Sequence, residues 1–120
     1  MTTAADIAEI YIAAWNETDV AARRAMIADT WTGDAVYVDP MAAVEGHAGV
    51  DALIAGVQER FPGFRFALIG EPDGHGEHVR FSWGLGPDGA ADAPIKGTDY
   101  VRVEEGRLKT VTGFLDQLPG

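Results

Sequence analysis

Three polar residues stand where a folded chain would have to account for them. Asp99 lies in Gly97-Thr98-Asp99-Tyr100-Val101-Arg102-Val103. Successive side chains of a strand point to opposite faces, so Asp99 shares a face with Val101 and Val103, while Tyr100 and Arg102 point away. A lone charge on an apolar face is too costly, so this carboxyl must be paired, hydrogen-bonded or protonated. It reads either as an acid with a raised pKa that donates a hydrogen bond, or a general base, or as an inward aspartate satisfied by neighbouring backbone. Asp39 precedes Pro40 at the end of Ala35-Val36-Tyr37-Val38. A strand end beside a pocket suits a general base, and Asp-Pro is also common turn chemistry. Tyr11 lies one helical turn from Trp15 on an apolar stripe. A buried phenol usually finds a hydrogen-bond partner, and otherwise it is plain core.

The remaining polar groups point less clearly to chemistry. His47 precedes the third helix and suits an acid–base group or an anion contact, but an exposed loop histidine is the favoured reading. His75 and His78 flank Glu77 near Asp73 in a glycine-rich hairpin, an exposed place without dedicated ligand spacing, so no metal centre is expected. Gly84-Leu85-Gly86-Pro87-Asp88-Gly89 matches G-x-G-x-x-G. That motif carries meaning only between a strand and a helix, and here a turn and Ala91-Asp92-Ala93-Pro94 follow. Cysteine is absent, which excludes thiolate nucleophiles, disulfides and Cys-based metal sites. With no P-loop, G-x-S-x-G or HExxH pattern, no cofactor is expected.

Charge narrows the partners. Nineteen acidic against nine basic side chains give a net charge of −10. Such a chain repels phosphate backbones and anionic lipid surfaces, so neither nucleic acid nor membrane is an expected partner. No apolar run approaches the ~18 residues of a membrane helix. The N-terminal segment does not read as a signal peptide, and a cytoplasmic location is the default. The 120 residues suit one domain, 1–120.

These residues need elements to hold them. Thr3 and Asp6 form a variant capping box ahead of Ile7, Ile10, Tyr11, Ala14 and Trp15, which recur at helical spacing. Thr18 or Asp19 can cap a second helix over about Val20 to Asp29, with Ala22, Met26 and Ile27 buried. Ala35–Val38 reads as a short strand. A third helix runs from about Val50 to Arg60, with Val50, Leu53, Ile54 and Val57 inward. Strands are expected over Phe64–Gly70, His78–Leu85, Ile95–Glu104 and Leu108–Asp116, joined by turns at Pro72-Asp73-Gly74, Pro87-Asp88-Gly89 and Glu104-Glu105-Gly106. Neighbouring strands this close in sequence pair as an antiparallel meander, and helices first with sheet last give an α+β fold.

With Tyr11-Ile12, Gly33-Asp34-Ala35, Val38-Asp39-Pro40, Glu45-Gly46, Asp99-Tyr100-Val101-Arg102-Val103 and Gly106-Arg107-Leu108 in this order, the chain resembles the nuclear-transport-factor-2-like superfamily. Within it, the chain is most similar to SnoaL-like polyketide cyclases and ketosteroid isomerases. The resemblance implies a cone, in which three N-terminal helices pack in the concave face of a strongly curved, mostly antiparallel sheet. It further implies a homodimer, and an apolar cavity between sheet and helices. In ketosteroid isomerases an aspartate shuttles a proton at carbon while a tyrosine and a protonated aspartate hold the developing oxyanion. By similarity Asp39 takes the base position, Tyr11 the tyrosine donor and Asp99 the acid donor. Trp31 and Ile54 stand near the places where the isomerases keep supporting tyrosines. Limonene epoxide hydrolases share the fold, but their Arg-x-Asp strand motif reads Arg80-Phe81-Ser82 here, so that chemistry is not expected.

Strand parity then fills in a lining. With Asp99 and Val101 inward, neighbouring strands present Val79, Phe81 and Trp83, and Val111, Gly113 and Leu115. Trp15, Trp31 and Met41 complete an apolar, aromatic wall that suits a small ring-containing molecule. The activity implied is cofactor-independent acid–base chemistry on a small apolar carbonyl compound, as a double-bond isomerase or an aldol cyclase. A pocket that binds without turnover is the alternative.

Overall fold

A computed structural model describes residues 3–119. Helix α1 (Ala4–Asn16) begins at the expected capping box: Thr3 N–H donates to Asp6 Oδ2 at 3.0 Å, and Asp6 N–H donates to Thr3 Oγ1 at 3.1 Å. Helix α2 (Val20–Thr30) is capped by Asp19, whose carboxylate accepts from Ala22 N–H at 2.9 Å. The chain continues directly into β1 (Trp31–Val38), turns at Asp39–Ala42, and returns as β2 (Ala43–Glu45) before α3 (Gly46–Arg60). Four strands close the chain: β3 (Phe64–His75), β4 (His78–Pro87), β5 (Ile95–Glu104) and β6 (Arg107–Gln117).

The six strands make one sheet in the order β2-β1-β6-β5-β4-β3. The meander β3 to β6 is antiparallel throughout, β1 pairs β2 antiparallel, and β1 runs parallel to β6. The three helices pack against this curved, mixed sheet, so the α+β expectation holds. Helix α1 lies on β3 and β4, α3 lies on β1 and β2, and α2 packs against α3. No helix among the described residues is long and apolar enough to cross a membrane.

Three local readings change. Strand β2 is only Ala43-Val44-Glu45, too short to carry an alternation; its pairing with Val36–Val38 creates it. Pro72-Asp73-Gly74 is not a turn: it lies within β3, where the register slips between Ile69 and Asp73, and the chain reverses after His75, at Gly76-Glu77. A proline and a glycine are tolerated at such a bulge. Arg23, not expected inside, is 3% exposed on α2, because Asp51 of α3 accepts from its Nε at 2.7 Å and Gln58 Oε1 accepts from its Nη1 at 3.1 Å. Arg24 Nε completes the pair from outside, 3.0 Å from the other Asp51 oxygen.

Candidate active site

Strand register places the carboxyl of Asp99 at the centre of the inner face. Asp99 pairs with Phe81 on β4 and with Gly113 on β6, and it is 2% exposed. Alternation holds as expected: Val79, Phe81, Trp83, Val101 and Val111 are buried, Leu115 and Val103 are half-buried, and Arg80 and Arg102 face solvent. The Tyr11 hydroxyl, brought by α1, donates to Asp99 Oδ2 at 2.6 Å. Trp83 Nε1 donates to Asp99 Oδ1 at 3.1 Å.

That second bond depends on a glycine. Trp83 pairs with Gly97, and a Cβ at Gly97 would stand 2.3 Å from Trp83 Cζ2. The missing side chain lets the indole lie across β5 and reach the next inward residue, Asp99. A second inward glycine, Gly113, holds the other flank. A Cβ there would meet Asp99 Oδ1 at 2.9 Å, Asp39 Cβ at 3.3 Å and Tyr37 Oη at 3.5 Å. Asp39, from the end of β1, and Asp99 therefore both come to the face that Gly113 leaves without a side chain.

Asp39 does two things at once. Its Oδ1 accepts from the N–H groups of Met41 and Ala42, both at 2.8 Å, which fixes the turn; its Oδ2 accepts from the Tyr37 hydroxyl at 2.6 Å. The turn reading of Asp39 describes real contacts, and the same residue lies on the Asp99 side of the sheet, at Gly113. Tyr37 escaped the sequence reading, although alternation within Ala35-Val36-Tyr37-Val38 puts it on the buried face with Ala35. Two tyrosine–aspartate pairs thus face each other around Gly113.

Burial sets the electrostatics. Desolvation pushes the Asp99 carboxyl up to about 6; the hydrogen bonds from Tyr11 and Trp83 oppose this, and the negative charges of Asp39 and Asp116 add to it. Burial first, then the Asp99 charge, pushes the Tyr11 phenol well above its ordinary range. Tyr37 moves the same way through burial and its bond to Asp39. Both phenols therefore stay protonated and act as donors, and Asp99 titrates where a neutral acid is within reach near neutral pH.

Aromatic rings enclose the cluster. Tyr11 has Trp15, Trp31 and Phe81 around it at ring-centre distances of 6.1, 5.8 and 5.1 Å, and Trp15 lies 5.9 Å from Tyr37. Met41 does not join this wall. It is 73% exposed, because the turn that Asp39 fixes directs it to solvent. His47 is not a loop residue: it lies in the first turn of α3, half-buried, with Nε2 2.8 Å from the Trp31 carbonyl oxygen. Among the described residues, no group of three or more acidic or histidine side chains converges as a metal site. A surface groove of about 560 Å³ between α2 and α3, lined by Val20, Ile27, Ala52 and Arg24, lies apart from this cluster. The glycine-rich run has a structural cause, since Cβ atoms at Gly84 and Gly86 would strike Ala93 and Pro94 of the loop folded over them.

Residues 8–111 match the model of the SnoaL-like domain. The chain belongs to the SnoaL-like family. A solved SnoaL-like relative, a candidate isomerase from Agrobacterium tumefaciens, is 45% identical over 97% of this chain and 99% of that one, with a TM-score of 0.90. A candidate ketosteroid isomerase from Kribbella flavida is 17% identical over 98% of this chain and 80% of that one, with a TM-score of 0.72. A candidate polyketide cyclase from Sinorhizobium meliloti is 17% identical over 90% and 93%, with a TM-score of 0.71. The last two share the SnoaL-like fold at an identity that speaks for the fold alone. No curated protein matches the chain.

Proposed function

We propose that this SnoaL-like protein is a cofactor-independent acid–base enzyme for a small, apolar, ring-containing carbonyl compound. One observation carries the reading: a buried acid, Asp99, bonded to a buried phenol, Tyr11, stands beside a second carboxylate, Asp39, inside an aromatic wall. In this reading the substrate carbonyl oxygen enters between Tyr11 and Asp99, so that both O–H groups turn to it. The Asp39 carboxylate takes a proton from the adjacent carbon. The C–H electron pair moves into a new C=C bond, and the carbonyl oxygen takes up the negative charge. Two donors in a dry site stabilise that oxygen far better than water does. Trp83 holds Oδ1 of Asp99 from the far side, which leaves the acid proton on Oδ2, the oxygen that faces Tyr11. Return of the proton at a more distant carbon is isomerisation; attack of the enolate carbon on a second carbonyl is aldol cyclisation. The candidate isomerase at 45% identity is consistent with the first.

A second reading, binding without turnover, has its own support. Asp39 already accepts three hydrogen bonds, two of them from its own turn. Deuterium exchange at carbon, followed by NMR over a panel of enones and diketones, separates the two. Exchange that depends on Asp39 supports the enzyme; tight binding with no exchange supports the binding protein.

A further inference from the structure

Trp15 and Trp31 each bury an indole N–H that has no hydrogen-bond partner. Trp15 is 5% exposed and Trp31 is fully buried. Leaving such a donor unmet is costly, and folded proteins rarely tolerate it without a functional reason. A phenylalanine would fill most of the same space without that cost. The chain's third indole shows the contrast, since Trp83 spends its N–H on Asp99.

The two unmet donors are not scattered. Both rings pack against the ring of Tyr11, at 6.1 and 5.8 Å. Tyr11 is the residue whose O–H meets Asp99. An acceptor atom brought among these rings would meet donors that the fold itself leaves without partners, next to the Tyr11–Asp99 pair.

We infer that Trp15 and Trp31 form a second subsite beside Tyr11, one that takes an acceptor oxygen of the ligand. The ligand class is then a small ring compound with two oxygens: one that enolises against Tyr11 and Asp99, and a carbonyl or ether oxygen that the indoles recognise. This rests on the enolate-binding reading of Tyr11 and Asp99. It adds selectivity, because a site built with buried donors rejects an analogue that leaves them unpaired.

Phenols test it, because a phenolate mimics an enolate. The probes are 3- and 4-hydroxyacetophenone, each compared with the isopropylphenol of the same substitution, which has the same shape and no second acceptor. Binding is followed in the full-length, ¹⁵N-labelled protein, whose three tryptophans give three indole N–H signals. The acetyl probe should bind roughly 5- to 10-fold tighter and shift the Trp15 or Trp31 indole proton downfield, while its isopropyl partner leaves both in place. Acetyl also acidifies the phenol, so the deciding comparison is the loss of this advantage in Trp15→Phe or Trp31→Phe. Should these variants fail to fold, the wild-type indole shifts decide alone.

Equal binding of acetyl and isopropyl probes, with both indole signals unmoved and Tyr11→Phe still weakening both, overturns the subsite and leaves the enolate reading standing. The subsite is likewise overturned if the two signals lie upfield in the free protein, the mark of N–H groups resting on ring faces, and stay there on binding. Loss of all phenol binding, or binding indifferent to Tyr11→Phe, overturns the enolate reading and the subsite with it.

Discussion

The Trp83 ring lies so close over Gly97 that a single added carbon would stand 2.3 Å from its Cζ2 atom. This contact aims the indole N–H at Asp99 Oδ1. Gly97→Ala should therefore displace the ring, and overpacking of this kind costs roughly 1–3 kcal/mol. Thermal unfolding would show the loss. Trp83→Phe, which keeps a ring but removes the donor, should raise the Asp99 pKa further, since the bond favours the carboxylate. Carboxyl NMR titration would read the change, and a downward shift would contradict the role assigned to Trp83.

Asp99 should also make stability fall as pH rises. Its carboxyl is at about 6 in the fold against 3.8 unfolded, so the folded chain binds the extra proton between those values. The contribution is fully present below about pH 4 and lost above about pH 6, and it amounts to on the order of 3 kcal/mol. Asp51 runs the other way: burial opposes its charge, but Arg23 and Arg24 overcome that and hold its carboxyl low. Comparing wild type with Asp99→Asn cancels such background. The stability difference should move in favour of Asp99→Asn as pH rises from 4 to 7, measured by urea unfolding at each pH; a flat difference would contradict a raised Asp99.

The Arg23–Asp51 pair predicts a stability loss with no bearing on the site. Asp51→Ala leaves the Arg23 guanidinium, 3% exposed, without its carboxylate. Breaking a buried pair in this way typically costs about 3–5 kcal/mol. Denaturant midpoints should fall accordingly. The residues proposed to bind the ligand are untouched, so phenol affinity of the folded variant should remain that of wild type.

Tyr37→Phe removes one of three donors to Asp39 and leaves the two turn N–H bonds intact. The fold should survive with a loss of about 1 kcal/mol. Proton exchange at carbon should slow less than in Asp39→Asn, because the carboxylate remains and only its orientation loosens. An exchange rate as low as that of Asp39→Asn would make Tyr37 part of the proton transfer itself.

What the sequence discloses follows from what periodicity can carry. The helices are legible because Thr3 with Asp6, and Asp19, mark their starts, and Ile7, Tyr11, Ala14 and Trp15 mark a face. Asp99 is legible because a carboxylate in phase with Val101 breaks a pattern. Strand β2 is not, since three residues bear no period and pairing with β1 alone defines them. Pro72-Asp73-Gly74 carries turn residues, but a bulge uses the same residues and the pairing with β4 continues past it. Arg23 reads as helix surface because its partner, Asp51, is far away in sequence. Hydrophobicity points Met41 inward, while the Asp39 turn decides its direction. Alternation within β1 places Tyr37 inward with Ala35, but its pairing with Asp39 and the slots at Gly97 and Gly113 need the turn and the cross-strand register, which no single strand displays.

In the proposed mechanism Asp39 is the base at carbon, and Tyr11 and Asp99 are the donors to one ligand oxygen. Binding of a planar phenol to Asp39→Asn and Tyr11→Phe tests it most directly, alongside proton exchange at carbon. Asp39→Asn keeps the shape of the turn and removes the base, so exchange should fall by about 10²–10⁴-fold. Phenol affinity should hold or rise, because the phenolate no longer faces a carboxylate. Tyr11→Phe should weaken phenol binding, since one of the two donors to its oxygen is gone. Equal loss of phenol affinity in both variants, with exchange unaffected by Asp39→Asn, would contradict the account and leave Asp39 a residue of the turn.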